Sequence, residues 1–342
     1  MKICKTREEL SAALAEAAGC TGFVPTMGAL HKGHLSLIER ARGENNTVVA
    51  SVFVNPIQFN NPNDLANYPR TFEADCALLE KAGCDIVFAP NESEMYSEGK
   101  DVAFAKGWGG DFGGLDKVME GAFRPGHFNG VAVVVKRLFE LVKPTVAYFG
   151  KKDFQQTVII KEIVSILGLP VRIEVCPIVR EFDGLAMSSR NALLTHEGRI
   201  IAPQICRIIS DTLRIGGSAE FLKARVIASL EDYFKVDYFE IVDRDTLKPV
   251  PAFWVVSAAN GNEAAGSDKA ASADCRGVVA SSSACNNCSG CDSTENGKQT
   301  AGSSTAVACV AVWFENVRLI DNFDVNLRLG PNTTPCAGSC SK

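Results

Sequence analysis

The sequence shows no long hydrophobic run and no large excess of either charge, and we expect no secretory leader. Its longest apolar stretches, such as Val131–Val135, fall far short of the ~20 residues needed to span a bilayer. The first residues, Met1–Lys5, show no apolar segment followed by a cleavage site, and we therefore expect a cytoplasmic protein. With 35 basic and 40 acidic side chains among 342 residues, the net charge is only −5. This balance argues against a nucleic-acid or membrane partner.

Two common nucleotide-binding motifs are also missing. The chain contains neither a Walker phosphate loop nor the glycine fingerprint of dinucleotide-binding proteins, so ordinary kinases and dehydrogenases lose support. Hydrophobic residues make up 46% of the chain, which is enough to build real cores. At roughly 100–200 residues per domain, the length predicts two domains or at most three.

Cysteine is abundant but unevenly placed, with 13 in the chain. Six are scattered at irregular spacing and are expected to be reduced, partly buried thiols: Cys4, Cys20, Cys76, Cys84, Cys176 and Cys206. The other seven lie in the last quarter, where the spacing Cys285-x-x-Cys288-x-x-Cys291 is typical of zinc or iron–sulfur ligands, with Cys275 and Cys309 in reserve. Because the surrounding sequence is of low complexity, we favour a solvated, oxidation-prone loop over a metal site.

From residue 2 to about residue 256, short β-rich runs alternate with amphipathic helical stretches. This alternation predicts an α/β fold, a Rossmann-like parallel sheet with helices on both faces. Ligands of such sheets bind beyond the carboxyl ends of the strands. The loops of interest are therefore those that follow Val24, Val54, Phe149 and Val175.

The pattern changes after residue 182, where helical stretches followed by β-rich runs predict a smaller C-terminal α+β domain. We expect domains at residues 1–182 and 183–323 and a frayed tail at 324–342. Residues 257–310 interrupt the second domain, since 28 of these 54 residues are Ala, Ser or Gly and none is Leu, Ile, Met, Phe, Trp or Tyr. Such a stretch buries too little apolar area to offset its ordering entropy, so a disordered insertion is expected.

The first of the four loops carries the most distinctive chemistry. A β-rich run ends at Val24, and the turn Met27–His34 leads directly into a helical stretch. Backbone N–H groups at a helix N-terminus suit a phosphate, and imidazoles can donate hydrogen bonds to phosphate oxygens as negative charge builds up. A metal pair at His31 and His34 is a weaker alternative, because no third ligand is nearby in the sequence.

This turn, Met-Gly-x-Leu-His-x-Gly-His, resembles the signature of the nucleotidylyltransferase superfamily, which also includes class I aminoacyl-tRNA synthetases. Six further blocks resemble the pantothenate synthetase (pantoate–β-alanine ligase) family in order and spacing. These blocks are Phe53–Phe59, Tyr68–Thr71, Arg124–Val131, Tyr148–Gln156, Asp183–Asn191 and Arg318–Asn322. The resemblance covers roughly residues 1–256 and 311–323, which is nearly the whole globular part.

The resemblance implies an ATP-dependent ligation in two steps. ATP and (R)-pantoate would give pantoyl adenylate and pyrophosphate, and β-alanine would then displace AMP to give pantothenate. We also expect Mg²⁺ to accompany ATP, a homodimer, and only small molecules (ATP, pantoate and β-alanine) as other partners.

The resemblance assigns four catalytic side chains, namely His31, His34, Lys152 and Arg190. The expected ATP site consists of Met27, Gly28, Ala29, Leu30, His31, Lys32, Gly33, His34, Gly150, Lys151, Lys152, Asp153, Val179, Met187, Ser188, Ser189 and Arg190. Many family members have Glu where this chain has Lys151, so Lys152 is the matched lysine.

Amide side chains match the positions that bind the two small substrates. Gln58 and Gln156 match the pantoate-binding glutamines, and Gln58 with Asn55 is expected to reach β-alanine. Asp75 is the candidate ligand for Mg²⁺. Pro25, Met27 and Phe149 could supply an apolar wall, and Arg124 and His127 are candidates for a mobile gate.

Two other interpretations stay open at this point. The chain could be a different nucleotidyl-transferring member of the superfamily, but such a member would lack the paired glutamines and the Arg-Pro-Gly-His-Phe block. It could also be a non-catalytic metal-binding or scaffold protein built on a ligase-like fold. That interpretation expects loss of His31, His34, Lys152 or Arg190, and all four are present.

Overall fold

The structure is a computed structural model, and it describes residues 1–250, 253–258 and 304–329. The strands are β1 Lys2–Cys4, β2 Thr21–Thr26, β3 Thr47–Val52, β4 Ile86–Phe88, β5 Val146–Gly150, β6 Arg172–Cys176, β7 Gly217–Ser218, β8 Lys235–Asp243, β9 Phe253–Ala258, β10 Ser304–Phe314 and β11 Val317–Leu329. The helices are α1 Arg7–Ala15, α2 Lys32–Glu44, α3 Pro62–Asn67, α4 Phe72–Lys81, α5 Glu92–Met95, α6 Lys100–Lys106, α7 Met119–Phe123, α8 His127–Val142, α9 Phe154–Leu167, α10 His196–Ile201, α11 Gln204–Ile215 and α12 Ala219–Glu231.

The first six strands form a sheet in the order β1-β4-β3-β2-β5-β6, and all its strand pairs are parallel. Successive residues of a strand face opposite sides of the sheet. Phe23 packs in a core cluster with Phe139 of α8, whereas the next residue, Val24, packs with Ile38 of α2. The predicted parallel sheet with helices on both faces is therefore confirmed.

The strand order creates a switch point beside β2. The chain moves from β2 to β3 on one side, while β5 and β6 lie on the other side. Ligands of open α/β sheets bind at the carboxyl ends of the strands that flank such a point. Here β2 runs into the Met27–His34 turn, and β5 runs into a single 3₁₀ turn at Lys151–Asp153.

The C-terminal part contains a second sheet in the order β7-β9-β11-β10-β8, with antiparallel pairs throughout. Helices α11 and α12 cover this sheet, where Ile209 and Leu222 share a core cluster with Ala308 and Leu319. The predicted smaller α+β unit is thus confirmed. The domain boundary between residues 1–182 and 183–323 stays a prediction.

Several expected boundaries in this part were wrong. The predicted insertion began at residue 257 and ended at 310, but β9 continues to residue 258 and β10 begins at residue 304. Alternate side chains of β10 enter different cores, with Ala306 and Ala308 beside α11 and α12 and Val307 and Cys309 in a cluster with Met119. Small side chains at period two form a buried strand here, which a count of composition alone does not reveal.

Two further expectations concern the tail and the cysteines. Strand β11 extends to Leu329, so the first six residues of the expected tail are paired with neighbouring strands. Cys309 is a buried free thiol and not a reserve metal ligand. The six scattered cysteines are also free, and Cys20 is exposed. The Cys285–Cys291 spacing and the rest of the insertion, residues 259–303, lie outside the described residues.

Candidate active site

The carboxylate of Asp75 stabilises the backbone of the turn between β2 and α2. Gly28 has a φ of 83° and Ala29 a φ of 50°, in the left-handed region that favours glycine. Asp75 of α4 is 1% exposed, and its two oxygens accept the backbone N–H groups of Ala29 (3.0 Å) and Leu30 (2.8 Å). A Cβ added at Gly28 would lie 3.0 Å from the Asp75 Oδ2. The turn and the carboxylate therefore fit each other closely.

The two histidines cap the helix that follows. His31 is the N-cap of α2, and its Nδ1 accepts the N–H of Gly33 at 3.1 Å. The Nδ1 of His34 accepts the N–H of His31 at 3.3 Å, and the two rings lie 4.0 Å apart between centroids. Because Nδ1 accepts in both rings, the proton of each neutral imidazole resides on Nε2. Both side chains can therefore donate from Nε2.

Burial keeps both imidazoles neutral. It lowers the pKa of His31 to about 4, and the positive charge of Lys152 adds to the effect. Burial also lowers the pKa of His34 to about 3, with His31 and Lys152 as further causes. At neutral pH the pair consists of uncharged hydrogen-bond donors beside a lysine cation.

One cleft at the carboxyl ends of β2 and β5 brings together most of the predicted site. The predicted residues that line it are Met27, His31, Gly33, His34, Asn55, Gln58, Gly150, Lys152, Asp153, Gln156, Val179, Met187, Ser188, Ser189 and Arg190. The histidines, the lysine of the 3₁₀ turn, the serines with Arg190 and the amide side chains therefore all face one cleft.

Six predicted residues do not line this cleft: Gly28, Ala29, Leu30, Lys32, Lys151 and Asp75. The first three form the turn itself, and Lys32 begins α2. Lys151 is ion-paired with Asp324 of β11, so Lys152 is the lysine of this turn that faces the cleft. Asp75 does not suit the predicted magnesium contact, because both of its oxygens accept backbone N–H groups on the far side of the turn.

The phosphate-loop candidates, Met187–Arg190, line the same cleft as the two histidines. The Oγ of Ser189 donates to the carbonyl of Ala29 at 3.0 Å, which ties this loop to the β2–α2 turn. The guanidinium of Arg190 contacts Asp64 of α3 through Nε (3.3 Å) and Nη2 (2.9 Å), and it lies 5.9 Å from the ring centre of Tyr68. Arg190 therefore already has an anionic partner at the site where a phosphate is expected.

An amide network shapes the other end of the cleft. Asn55 is 1% exposed, and its Nδ2 donates to the Oε1 of Gln58 at 3.0 Å. The hydroxyl of Tyr96 donates to the Oδ1 of Asn55 at 2.7 Å. Asn55 thus orients Gln58, while Gln156 in the first turn of α9 lines the same cleft.

Sequence reasoning missed several contacts that organise this site. The Nδ1 of His127 lies 2.8 Å from the backbone carbonyl of Gln58, and its Nε2 lies 3.2 Å from Nη1 of Arg124. Because Arg124 can only donate, the Nε2 of His127 accepts from it, and the His127 Nδ1–H donates to the carbonyl of Gln58. Burial lowers the pKa of His127 to about 3, and the positive charge of Arg124 adds to this effect. These contacts brace the Gln58 backbone. Asp64 carried no signal in the sequence, because its partner Arg190 is 126 residues away.

A switch-point cleft, lined by neutral imidazole donors and by lysine and arginine cations, defines an α/β enzyme that binds a phosphate-bearing substrate. The chain belongs to the Pantoate-beta-alanine ligase family, whose model matches residues 2–265. It is therefore a ligase that joins pantoate to β-alanine, and the resemblance noted in the sequence is confirmed. In the described part of the chain, no helix combines the length and apolar character needed to cross a bilayer.

Relatives and solved structures agree with this assignment. The chain is 54% identical over 233 residues to the pantothenate synthetase of Porphyromonas gingivalis strain ATCC 33277, covering 67% of this chain and 81% of that protein. It is 49% identical over 259 residues to that of Bacteroides fragilis strain ATCC 25285, covering 73% and 89%.

Two solved structures are similar over almost the whole chain. The pantothenate synthetase of Thermus thermophilus superposes with a TM-score of 0.73 at 40% identity, covering 94% of this chain and 98% of the other. The Francisella tularensis pantoate-beta-alanine ligase, solved in complex with Beta-gamma ATP and Beta-alanine, gives a TM-score of 0.69 at 29% identity, covering 94% and 97%.

Proposed function

We propose that this ligase uses ATP to condense (R)-pantoate with β-alanine through a pantoyl-adenylate intermediate, and that it releases AMP and pyrophosphate. The observation that carries the proposal is the grouping of His31, His34 and Lys152 at one cleft that also holds Gln58 and Gln156. The complex of the Francisella relative with an ATP-type ligand and β-alanine supports the same substrates.

In the first step, a carboxylate oxygen of pantoate attacks the α-phosphorus of ATP. A bond forms between this carboxylate oxygen and the α-phosphorus. The bond between the α-phosphorus and the oxygen that bridges to the β-phosphorus breaks, and pyrophosphate leaves. Negative charge grows on the non-bridging phosphate oxygens in the transition state. The Nε2–H groups of His31 and His34 and the ammonium of Lys152 are the donors that stabilise this charge.

In the second step, the uncharged amine of β-alanine attacks the carbonyl carbon of the adenylate. A carbon–nitrogen bond forms, the carbon–oxygen bond to AMP breaks, and the amine loses a proton to solvent. The amides of Gln58 and Gln156 bind pantoate, and Gln58 with Asn55 receives β-alanine. Close placement of amine and acyl group favours aminolysis over hydrolysis by water.

The other parts of the expected assembly stay predictions. Magnesium accompanies ATP in this proposal, but Asp75 does not suit the ion because both of its carboxylate oxygens accept backbone N–H groups. Among the described residues, no group of three His, Cys, Asp or Glu side chains could hold a metal ion. The homodimer and the cytoplasmic location likewise rest on the family resemblance and on the sequence.

Oxygen transfer tests the proposal directly. Pantoate labelled with ¹⁸O in its carboxylate should pass one label to AMP when ATP and β-alanine are present, because the attacking oxygen stays on phosphorus. Pyrophosphate release should require pantoate but not β-alanine, and AMP release should require both. Unlabelled AMP would exclude the adenylate, and pyrophosphate release without pantoate would indicate a different acceptor. A lack of turnover with all three substrates would support the non-catalytic interpretation.

A further inference from the structure

Asn322 of the second sheet contacts the 3₁₀ turn Lys151–Asp153, here called the lysine turn, which follows β5 of the first sheet. Asn322 of β11 is 3% exposed, and its Nδ2 donates to the backbone carbonyls of Lys151 (2.8 Å) and Lys152 (3.0 Å). Asn322 does not line the substrate cleft. It lines a smaller cavity behind the cleft, which it shares with Lys152 and Gln156.

The lysine turn needs such support because its own bonding is sparse. Lys151–Asp153 is a single 3₁₀ turn between β5 and α9, and its N-cap is Gly150, which has no side chain that could cap the turn. Short 3₁₀ segments have poorer hydrogen-bond geometry than α-helices. Two consecutive carbonyls held by one buried amide fix the direction in which the Lys152 side chain leaves the backbone.

The neighbouring residue, Asp321, holds the phosphate loop in a similar way. Asp321 is 4% exposed, and its carboxylate forms a two-point ion pair with Arg180 at 2.6 and 2.9 Å. Arg180 also donates to the carbonyl of Gly184 at 3.0 Å, and its backbone pairs with Ala186. That pairing closes the hairpin at residues 180–186, and the chain runs from Ala186 directly into the segment Met187–Arg190.

The two contacts are linked through the backbone of β11. The N–H of Asn322 donates to the Oδ1 of Asp321 at 2.8 Å, so the two side chains are held in a fixed relation. Asp321 and Asn322 therefore contact the segments that carry two of the cationic groups in the cleft, Lys152 and Arg190. Neither Asp321 nor Asn322 lines the cleft itself.

We propose that Asp321 and Asn322 are positioning residues that set the relative placement of Lys152 and Arg190 for the adenylation step. This inference rests on the proposed function. Lysine contributes only a point charge on a flexible stem, so its effect in the transition state depends on where the backbone starts that stem. Displacement of about 1 Å at such a group costs on the order of 100-fold in rate.

Asn322→Ala in the full-length chain tests the proposal. The rate of pantoate-dependent pyrophosphate release, measured in a single turnover, should fall about 100-fold while the KM for ATP stays within about threefold. The matched control is Asn129→Ala, because Asn129 donates to one backbone carbonyl, that of Phe104 at 2.9 Å, and does not line the cleft. The control should keep the wild-type rate.

The outcomes separate this inference from the proposed function. An unchanged rate in folded Asn322→Ala, or an equal loss in Asn129→Ala, would overturn the positioning role while the wild type stays active. No pantoate-dependent pyrophosphate release from the wild type would overturn the proposed function, and with it this inference. If Asn322→Ala does not fold, Asn322→Ser supplies the same test with a smaller loss of packing. Asp321→Asn should lower the rate in the same way.

Discussion

At the scale of single residues, His31 and His34 combine two tasks. Each imidazole accepts a backbone N–H through Nδ1 at the start of α2, and each faces the cleft. The cap fixes the ring orientation and the tautomer, and burial keeps the ring neutral. Side chains that are positioned before substrate binds need little rearrangement in the transition state.

Replacement of His34 tests its role as a donor. His34→Ala should lower kcat for pyrophosphate release by about 10²–10³, the usual cost of losing one transition-state donor. It also loses a capping hydrogen bond, which costs about 1 kcal/mol of stability. The measurement is a steady-state assay with a urea melt on the same sample. His196→Ala is the control, because His196 is exposed on α10. Near-normal turnover by His34→Ala would show that His34 is not a transition-state donor.

Asp75→Asn distinguishes support of the turn from metal binding. The amide would present an NH₂ group to one of the two backbone N–H groups, so we expect a loss of about 1–3 kcal/mol of unfolding free energy and a raised KM for ATP. Because the defect lies in the turn, added Mg²⁺ should not restore the KM. Glu73→Gln on the exposed face of the same helix is the control. Recovery of Asp75→Asn at high Mg²⁺ would instead place the ion there.

At the scale of elements, the short helix α3 competes for Arg190. Its residue Asp64 contacts Nε and Nη2 of Arg190, which are two of the donors that a triphosphate would use. The ion pair therefore holds the loop after Ser188 against α3 before ATP binds. Binding of the triphosphate must share or displace this carboxylate.

Asp64→Asn should weaken that competition. We expect the KM for ATP to fall severalfold with little change in kcat, because the carboxylate is removed and the guanidinium keeps its position over Tyr68. Initial rates at varied ATP measure the effect. Asp211→Asn is a suitable control, since Asp211 pairs with Arg214 on the exposed face of α11. A rise in the KM for Asp64→Asn would show that Asp64 orients Arg190 rather than competing for it.

At the scale of the whole molecule, we expect that the segment between β9 and β10 can be shortened without loss of the fold. Both strands pair with β11, so their ends lie about two strand spacings apart, roughly 10 Å. A 12-residue Gly-Ser linker reaches about 40 Å when extended. Replacing residues 259–303 with such a linker should leave the melting temperature within a few degrees and the activity unchanged.

The control for this deletion uses the boundaries expected from composition. Removing residues 257–310 takes seven residues from β10 and the end of β9, and it should abolish soluble expression. Loss of the fold in the 259–303 replacement, or loss of bound metal with it, would show that the segment contributes to the structure.

Three histidines with lowered pKa values make stability depend on pH. The folded-state pKa is about 4 for His31 and about 3 for His34 and His127, against 6.5 for an unperturbed imidazole. Below pH 6.5 the unfolded chain therefore binds more protons than the folded chain, and stability falls as the pH drops towards those values. Each histidine contributes up to about 1.4 kcal/mol per pH unit in that window.

Urea unfolding at pH 7.5, 6.0 and 5.0 measures this dependence. The unfolding free energy should decrease between the last two values, and His127→Asn should show a smaller decrease than the wild type because one titrating ring is gone. Equal free energies at pH 7.5 and 5.0 would mean that these rings are protonated in the folded state.

The sequence by itself determined the parts of this protein that depend on near neighbours. Alternating apolar runs gave the order of strands and helices, because the core face of each element is set by the spacing of its own residues. The Met27–His34 turn likewise places two imidazoles three residues apart at a helix start. Such local signals were sufficient to predict the parallel sheet, the second α+β unit and the family.

Only the tertiary structure decided the contacts between distant segments. It paired Asp75 with Ala29 across 46 residues and placed Asn322 on Lys152 across 170 residues. It also showed that β10 begins at residue 304, because its alanines are buried only where α11 and α12 cover them. Partners of this kind are brought together by packing of whole elements, and the pattern of either segment taken alone does not contain that information.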